Sequence, residues 1–405
     1  MLRRPRLISV AAAAGALLAL LVLSVALNYA QFALAVAWGT MGRADLDLEP
    51  YRGQPNCADA EPCASGLIRV MTYNVLCRVC AVPGAEPWSQ RVPHLRDTIQ
   101  RYDADLLGLQ ELGGAGDLAD LAPALRQYAV LSFGLGPLNW ADAALFYRRD
   151  RFEALDSGQT WLGPDPTVPL GVAWNRLSAP RYLNWVVLRQ RSNGFRFVFA
   201  NVHVDNRPLN REASSRLLRS FLGPVTSVLP VVLTGDFNSG QETERFRRIL
   251  YTREGAPLFL DARALAAETT VLRDGGDAAV PAPRFRLTQD GILPDHILLA
   301  GPVAASVTRW TLDASGYGPG RLLPSDHAAV VADVTLGVVV RRAPSPQFAS
   351  MALPCTAIAN AACCPIAPTS SSSWSPTSSV IPSSCPGASQ RASVPAAPSL
   401  SSPTW

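Results

Sequence analysis

An α+β fold whose sheets carry helices on their outer faces is what the sequence predicts, and three observations point to it. Apolar, β-branched runs of strand length recur between residues 67 and 336. Two of them, LNWVVLRQR and FRFVFANVHV, follow one another through Ser192-Asn193-Gly194 as a hairpin. Others alternate with segments whose apolar residues recur every three and four positions, the helical period. Hairpins mixed with strand-helix units argue against a single parallel doubly wound sheet.

Taken in order, residues 67–76 (LIRVMTYNVL) are rich in β-branched and aromatic side chains and read as a strand with Asn74 near its C-terminal end. A helix follows, marked by Val92, Leu95, Ile99 and Tyr102, with Pro93 expected in its first turn. ADLLGLQEL is a short buried strand that ends at Gln110 and Glu111, and Leu118, Leu121, Leu125 and Tyr128 mark a second helix. AALFYRR around Leu145 is a strand; the hairpin comes next, then a helix over residues 211–222. Residues 229–233 form a buried strand that runs into LTGDFNSG, where Gly235 is expected to let the chain turn and deliver Asp236 and Asn238. A helix over 241–251, an exposed Gly/Ala/Pro loop over 262–285 and two strands, HILLA and AAVVADVTL, complete the body. The last strand alternates Val330, Ala332, Val334 and Leu336 on one face.

The chain's 405 residues and 48% hydrophobic content allow one large or two ordinary domains with a sizeable core. A formal net charge of +4 implies no strongly basic nucleic-acid surface. Lysine is absent, so all 36 basic residues are arginine, and chemistry that needs a lysine Schiff base or proton carrier is excluded. The N-terminus, MLRRPRL, leads into an apolar run over residues 7–30 broken by Ser9, Ser24 and Asn28. That length suits one membrane-spanning helix, and Arg3, Arg4 and Arg6 place its start in the cytoplasm with the body outside. A cleaved signal ending at Ala35-Val36-Ala37 is the alternative, with a secreted product. Residues 1–38 are therefore expected as anchor or signal, 39–66 as a stalk, 67–341 as the domain, and 342–405 as a disordered Ser/Pro/Ala tail. Cys57, Cys63, Cys77 and Cys80 flank the first strand. Export favours disulfides among them over a zinc site, with three pairings open.

Polar residues gather at strand ends: Asn74; Gln110 and Glu111; Asn201 and His203; Asp236 and Asn238; Asp295 and His296; Asp326 and His327. Three of the chain's four histidines are in this set. A single pair is an ordinary turn or surface group, but six at the ends of separate strands indicate a site where strands terminate together. Oxygen ligands with no cysteine among them suit magnesium or manganese, and His and Asp beside such an ion suit metal-assisted hydrolysis of a phosphoester.

TYNVL, LLGLQEL, ALFYRRDRF, NVHVDN, LTGDFNS, PDHILL and SDHAAVVADV, in this order, resemble the endonuclease/exonuclease/phosphatase superfamily. It includes pancreatic-type deoxyribonucleases, apurinic endonucleases, neutral sphingomyelinases and inositol polyphosphate phosphatases. The resemblance implies a four-layer α/β/β/α sandwich with two central mixed sheets and a site at one edge of them. It implies metal-site roles for Asn74, Glu111 (the principal carboxylate) and Asp326. Asp236 and Asn238 would orient the attacking water and the phosphate, and His203 would contact the phosphate or the leaving oxygen. His327, oriented by Asp295, would act as general base or phosphate ligand, and Arg181 would bind substrate. Arg211 reads as a helix-face charge, and His296 is expected to face away, because neighbours on a strand alternate. The text LTGDFNSG and LPDHILL departs from the inositol phosphatase motifs and makes that subgroup a poor match. The expected protein is a monomeric, membrane-anchored phosphodiesterase, with a sphingomyelinase-like lipid activity or a non-catalytic binding module as alternatives.

Overall fold

The computed structural model describes residues 12–23, 26, 45–54, 56–57, 63–80, 82–131, 141–166, 181–273 and 293–337. One mixed sheet has the strand order β10-β12-β13-β1-β2-β4-β3 and the other β5-β6-β7-β8-β11-β9. In chain order the strands and helices of the first half are β1 (Ile68–Asn74), α1 (Trp88–Tyr102), β2 (Leu106–Leu112), α2 (Ala115–Leu121), β3 (Tyr128–Leu131), β4 (Ala141–Arg148), β5 (Phe152–Trp161), β6 (Tyr182–Gln190) and β7 (Arg196–His203). The second half adds α3 (Pro208–Thr226), β8 (Val231–Asp236), α4 (Glu244–Leu250), β9 (Leu260–Asp261), α5 (Ala262–Leu265), β10 (Ala266–Arg273), β11 (Asp295–Ala300), β12 (Ala305–Ala314) and β13 (Ala329–Leu336).

Alternation along each strand builds the four layers. Val70, Leu106, Phe197, Phe199, Val232, Ile297, Val330, Ala332 and Val334 face inward and form the core between the two sheets. Their neighbours one residue away point out. Met71, Leu107, Leu109 and Val331 pack under α1, while Val198, Leu233 and Leu298 pack under α3 and α4. The chain is thus an α/β/β/α sandwich, and the Val330, Ala332, Val334, Leu336 face expected of the last strand lies in its central core.

Several elements differ from the sequence expectation for local reasons. Helix α1 begins at Trp88, so Pro93 stands inside it rather than in its first turn. Trp88 is buried and donates Nε1–H to Asp120 Oδ2 at 2.8 Å, which anchors the start earlier. Helix α2 stops at Leu121 in a 3₁₀ turn containing Pro123. The Leu125 and Tyr128 end of the expected helix is therefore a turn and the first residue of β3. The segment from 262, expected as a loop, holds α5 and β10, the latter pairing in parallel with β12 at the sheet edge; residues 274–292 fall outside the described set. β5 and β12 were not anticipated. Each has burial that does not alternate along the strand and a register shift, which blur a period-two pattern.

In the segment expected as a stalk, Leu46, Leu48 and Tyr51 pack against the outer core of the second sheet. Disulfides join Cys57 to Cys63 and Cys77 to Cys80. Residues 12–23 are helical, but among the described residues no helix is long and apolar enough to cross a membrane. Most of the remaining apolar stretch, and the whole of the expected tail, lie outside the described residues.

Candidate active site

Along the inward face, side chains change from apolar to polar toward one end of both sheets. On β1 the inward series is Ile68, Val70, Thr72, Asn74; on β7 it is Phe197, Phe199, Asn201, His203; on β8 it is Val232, Thr234, Asp236. β11 runs the opposite way and begins with Asp295, followed inward by Ile297 and Leu299. Strand register then aligns the ends, since His203 is paired with Asp236 across the parallel β7–β8 ladder and Asp236 with Asp295 across β8–β11. Three chemically active side chains stand in one row because three neighbouring strands end at the same level.

Beneath that row lies a buried polar layer. Gln110 Nε2 donates to Thr72 Oγ1 at 3.0 Å and to Asn201 Oδ1 at 2.7 Å, and Thr234 Oγ1 donates to Asn201 Oδ1 at 3.1 Å. Gln110 and Asn201, two of the strand-end candidates, thus couple the two sheets one layer below the site. The sheets approach so closely here that a Cβ on Gly108 would lie 2.6 Å from Asn201 Oδ1.

The centre of the row is Asp236. Its Oδ2 lies 3.3 Å from His203 Nε2 and 3.7 Å from His327 Nε2, and it accepts from Asn74 Nδ2 at 3.2 Å; Oδ1 accepts from the Asn238 backbone N–H at 2.8 Å. Asn74 Nδ2 also donates to Glu111 Oε1 at 3.1 Å, so one amide links carboxylates from both sheets. His327 Nδ1 is 2.7 Å from Asp295 Oδ2, while its Nε2 is buried with no hydrogen bond among the described residues and faces Asp236. Asn238 Nδ2 donates to Val204 O at 2.7 Å and sits 3.4 Å from His203 Nε2.

Two site residues hold left-handed backbone that side chains other than glycine seldom adopt: Glu111 at φ 61° and Asn238 at φ 47°. For Glu111 the reason is visible. Alternation would send it outward with Leu107 and Leu109, and the kink instead turns its carboxylate toward Asn74. Glu111 N–H donates to Asp142 Oδ1 at 3.2 Å, which supports the kinked unit.

Asp142 was not among the sequence candidates, yet it anchors one side of the site. It forms an ion pair with Arg181, and its Oδ1 is 2.8 Å from His203 Nδ1. Arg181 Nη1 also lies 2.8 Å from His203 Nδ1, so the expected substrate arginine is within the site rather than on a remote surface. Asp142 stands at the N-terminal end of antiparallel β4, whereas most of the residues expected from the sequence stand at strand C-termini. Arg211, expected as a surface charge, donates from Nη1 to Asn238 O at 2.8 Å and braces that turn. His296 points the other way, as expected, with Nδ1 2.7 Å from Asp261 Oδ2 and its ring against Phe246.

Electrostatics separates the groups. Burial alone would raise the Asp142 carboxyl, but Arg181 and His203 override it and bring it down to about 2. Burial likewise works against the imidazolium of His327, and the carboxylates of Asp295 and Asp236 overcome it, raising His327 to about 10. His203 is also raised: burial and Arg181 oppose its charge, and Asp142 and Asp236 favour it more. Asp236 is lowered against its burial by the two imidazoles, so its ionised form and the protonated forms of the two rings favour one another.

A pH test follows for Asp142. Its folded value is below its unfolded one, so its contribution is present above pH ~4 and disappears as pH falls through about 2. Wild-type protein should lose about 2 kcal/mol of stability across that window, and Asp142→Asn, weaker at neutral pH, should lose far less. Parallel denaturation curves for the two proteins between pH 4 and pH 2 would contradict this assignment.

The oxygen-rich donors fit a hard divalent cation: Glu111 and Asp236 face a common amide, and Asp236, Asp295 and His327 offer buried ligand atoms within 4.8 Å of one another. Asp326 is nearly buried beside His327 and adds negative field to it. The Cys77, Cys80 and Glu111 atoms are equally close together, but the two sulfurs are joined in a disulfide.

Comparison with known proteins agrees with this geometry. The model of the endonuclease/exonuclease/phosphatase family matches residues 71–327. A solved family member from Bacteroides thetaiotaomicron is 26% identical, with a TM-score of 0.55 over 67% of this chain and 98% of that one. A mannosyl-6-phosphatase from the same organism is 25% identical, with a TM-score of 0.55 over 66% of this chain and 99% of that one. A Bacteroides vulgatus family protein at 24% identity has a TM-score of 0.53 over 67% of this chain and the full length (100%) of its own. No curated protein matches. Because the family match takes in well over half of the sequence and contains both sheets' site strands, the chain belongs to the endonuclease/exonuclease/phosphatase family.

Proposed function

We propose that this protein is an exported, membrane-anchored phosphodiester hydrolase that works with a divalent cation, magnesium or manganese. The observation that carries the reading is the single row of His203, Asp236 and Asp295, with Glu111 joined to it through Asn74. Glu111, Asn74 and Asp326 are the residues that would hold the ion. When bound, the ion supplies Lewis-acid polarisation of a phosphoryl oxygen and neutralises developing charge.

The chain's own groups do the rest. Asp236, kept ionised between the imidazoles, accepts the proton of the attacking water, and Asn238 beside it orients the phosphate. His203 presents a proton at Nε2 to the scissile phosphate or leaving oxygen, held in place at Nδ1 by Asp142. His327, its Nδ1 fixed by Asp295, aims a free Nε2 into the site as a phosphate ligand or proton carrier. Arg181 adds positive charge on the same side. Two disulfides support export, and the apolar run over residues 7–30 supports anchoring.

A second reading, phosphomonoester hydrolysis, is favoured by the similarity to the mannosyl-6-phosphatase. The test is a screen of the purified full chain against DNA, RNA, sphingomyelin and phosphomonoesters including mannose 6-phosphate, with Mg²⁺, Mn²⁺ or chelator. Turnover of a diester should fall by about a hundredfold or more on chelation and return with added Mg²⁺. Preference for mannose 6-phosphate would move the assignment to the second reading, and chelator-insensitive turnover would remove the cation from it.

A further inference from the structure

We propose that Arg91 is a positioning residue that pins the segment after Asn74 to the segment before Asp326 and His327. It thereby sets how two parts of the active site face each other. Arg91 lies on α1 and is 1% exposed. Its Nη1 donates to Val75 O at 3.0 Å and to Pro324 O at 2.7 Å, its Nη2 to Leu76 O at 2.7 Å, and its Nε to Glu86 O at 2.9 Å. Every partner is a main-chain carbonyl, and among the described residues no carboxylate forms an ion pair with it. The Trp88 ring covers one face, 5.4 Å from the guanidinium carbon.

A buried cation with no carboxylate in direct contact, its charge favoured only from a distance by Asp326 and Asp117, is an expensive way to satisfy one carbonyl, for which a neutral donor would suffice. What a planar fork of five N–H groups supplies is simultaneous donation, in one fixed geometry, to three separate stretches of chain, at residues 75–76, 86 and 324. The stretches here are the ones the site depends on. β1 and β13 are neighbouring strands, but their ladder runs from Ile68↔Val334 only as far as Thr72↔Val330. Asn74, Asp326 and His327 all lie beyond that last rung, so the sheet itself does not fix their mutual placement. Arg91 bridges the gap. Ser325 bridges it as well, donating from Oγ to Asn74 O at 2.6 Å and accepting from His327 N–H at 3.2 Å. Leu76, whose carbonyl Arg91 holds, has left-handed backbone at φ 53°, a conformation that needs outside support.

The inference rests on the proposed hydrolase for its kinetic arm alone. The deciding measurement needs no substrate: imidazole ¹⁵N–¹H spectra of the ¹⁵N-histidine-labelled full chain, in which only four histidines are present. Arg91→Lys keeps the charge but cannot reach all the carbonyls. His327 cross-peaks should shift or broaden most, those of His203, which meets it across Asp236, should move less, and those of His296, turned toward Asp261, should stay in place. His94 shares α1 with Arg91 and is left out of the comparison. In turnover, Arg91→Lys and Ser325→Ala should each lower kcat by about tenfold to a hundredfold with KM within about twofold. The double variant should lose less than the product of the two. If Arg91→Lys does not fold, the same spectrum of Arg91→Gln decides.

Unmoved His327 peaks, equal movement of all three histidines, additive kinetic losses, or failure of both variants to fold would each overturn the proposal. A chain with no phosphoester turnover at all would sink the hydrolase reading and leave the spectral result to stand on its own.

Discussion

Glu111→Ala is expected to reduce phosphoester turnover by about three orders of magnitude or more while the protein remains folded. Glu111 is the carboxylate that reaches Asn74 from the first sheet, and under the proposed function its removal takes away one of the residues that would hold the cation. Its backbone makes the test more specific. At φ 61° alanine keeps the strained conformation and glycine does not, so Glu111→Gly should be about 1 kcal/mol more stable than Glu111→Ala. Both should be inactive. Equal stability would show that the kink relaxes when the carboxylate is gone, and wild-type turnover in either variant would refute the site assignment. His327→Asn belongs to the same prediction. Asparagine can still donate toward buried Asp295, which alanine would leave without a partner, and it lacks the Nε2 aimed at Asp236. A loss of similar size is expected, measured as kcat at saturating substrate.

Gly235→Ala is the largest expected effect on stability. The sequence suggests a turn at Gly235, but the structure places it inside β8, paired with Val202 of β7. An added Cβ would collide with the Val202 carbonyl oxygen and lie 2.7 Å from Val202 Cγ1. Both are central strands, so neither backbone can withdraw without disturbing its ladder. A loss of about 3 kcal/mol or more is expected, seen as a fall in Tm of roughly 10 °C, with activity falling because Asp236 follows directly. Gly223→Ala in α3 is the control: nothing lies within 4 Å of its added Cβ, and helix propensity predicts a gain of ~0.5–1 kcal/mol. A Gly235→Ala protein as stable as wild type would mean that the close approach is not maintained in solution.

Much of this architecture could be read from local pattern. The alternation of Val330, Ala332, Val334 and Leu336 named the buried face of β13, and the period of Val92, Leu95 and Ile99 named the buried face of α1. The hairpin through Asn193-Gly194 appeared as expected, with Gly194 at φ 72°. Elements with weak local pattern are not legible in the same way. β5 and β12 contain register shifts, and β10 is an edge strand whose Thr, Glu and Arg residues read as loop. Asp142 is not legible either, because an antiparallel strand brings its beginning, not its end, to the site.

From sequence alone came the chemical inventory: no lysine, three of four histidines near strand ends, and the acids and amides beside them, with a family order that linked them. Side-chain period also determined the inward face of each strand, because alternation is a property of the extended backbone itself. Which of those residues meet was decided only in three dimensions. Register put His203, Asp236 and Asp295 in one row and left Gln110 and Asn201 one layer below. A left-handed kink turned Glu111 from the outer face to the inner. Strand pairing and close sheet contact depend on residues far apart in the chain, and no local pattern encodes the level at which two strands stop.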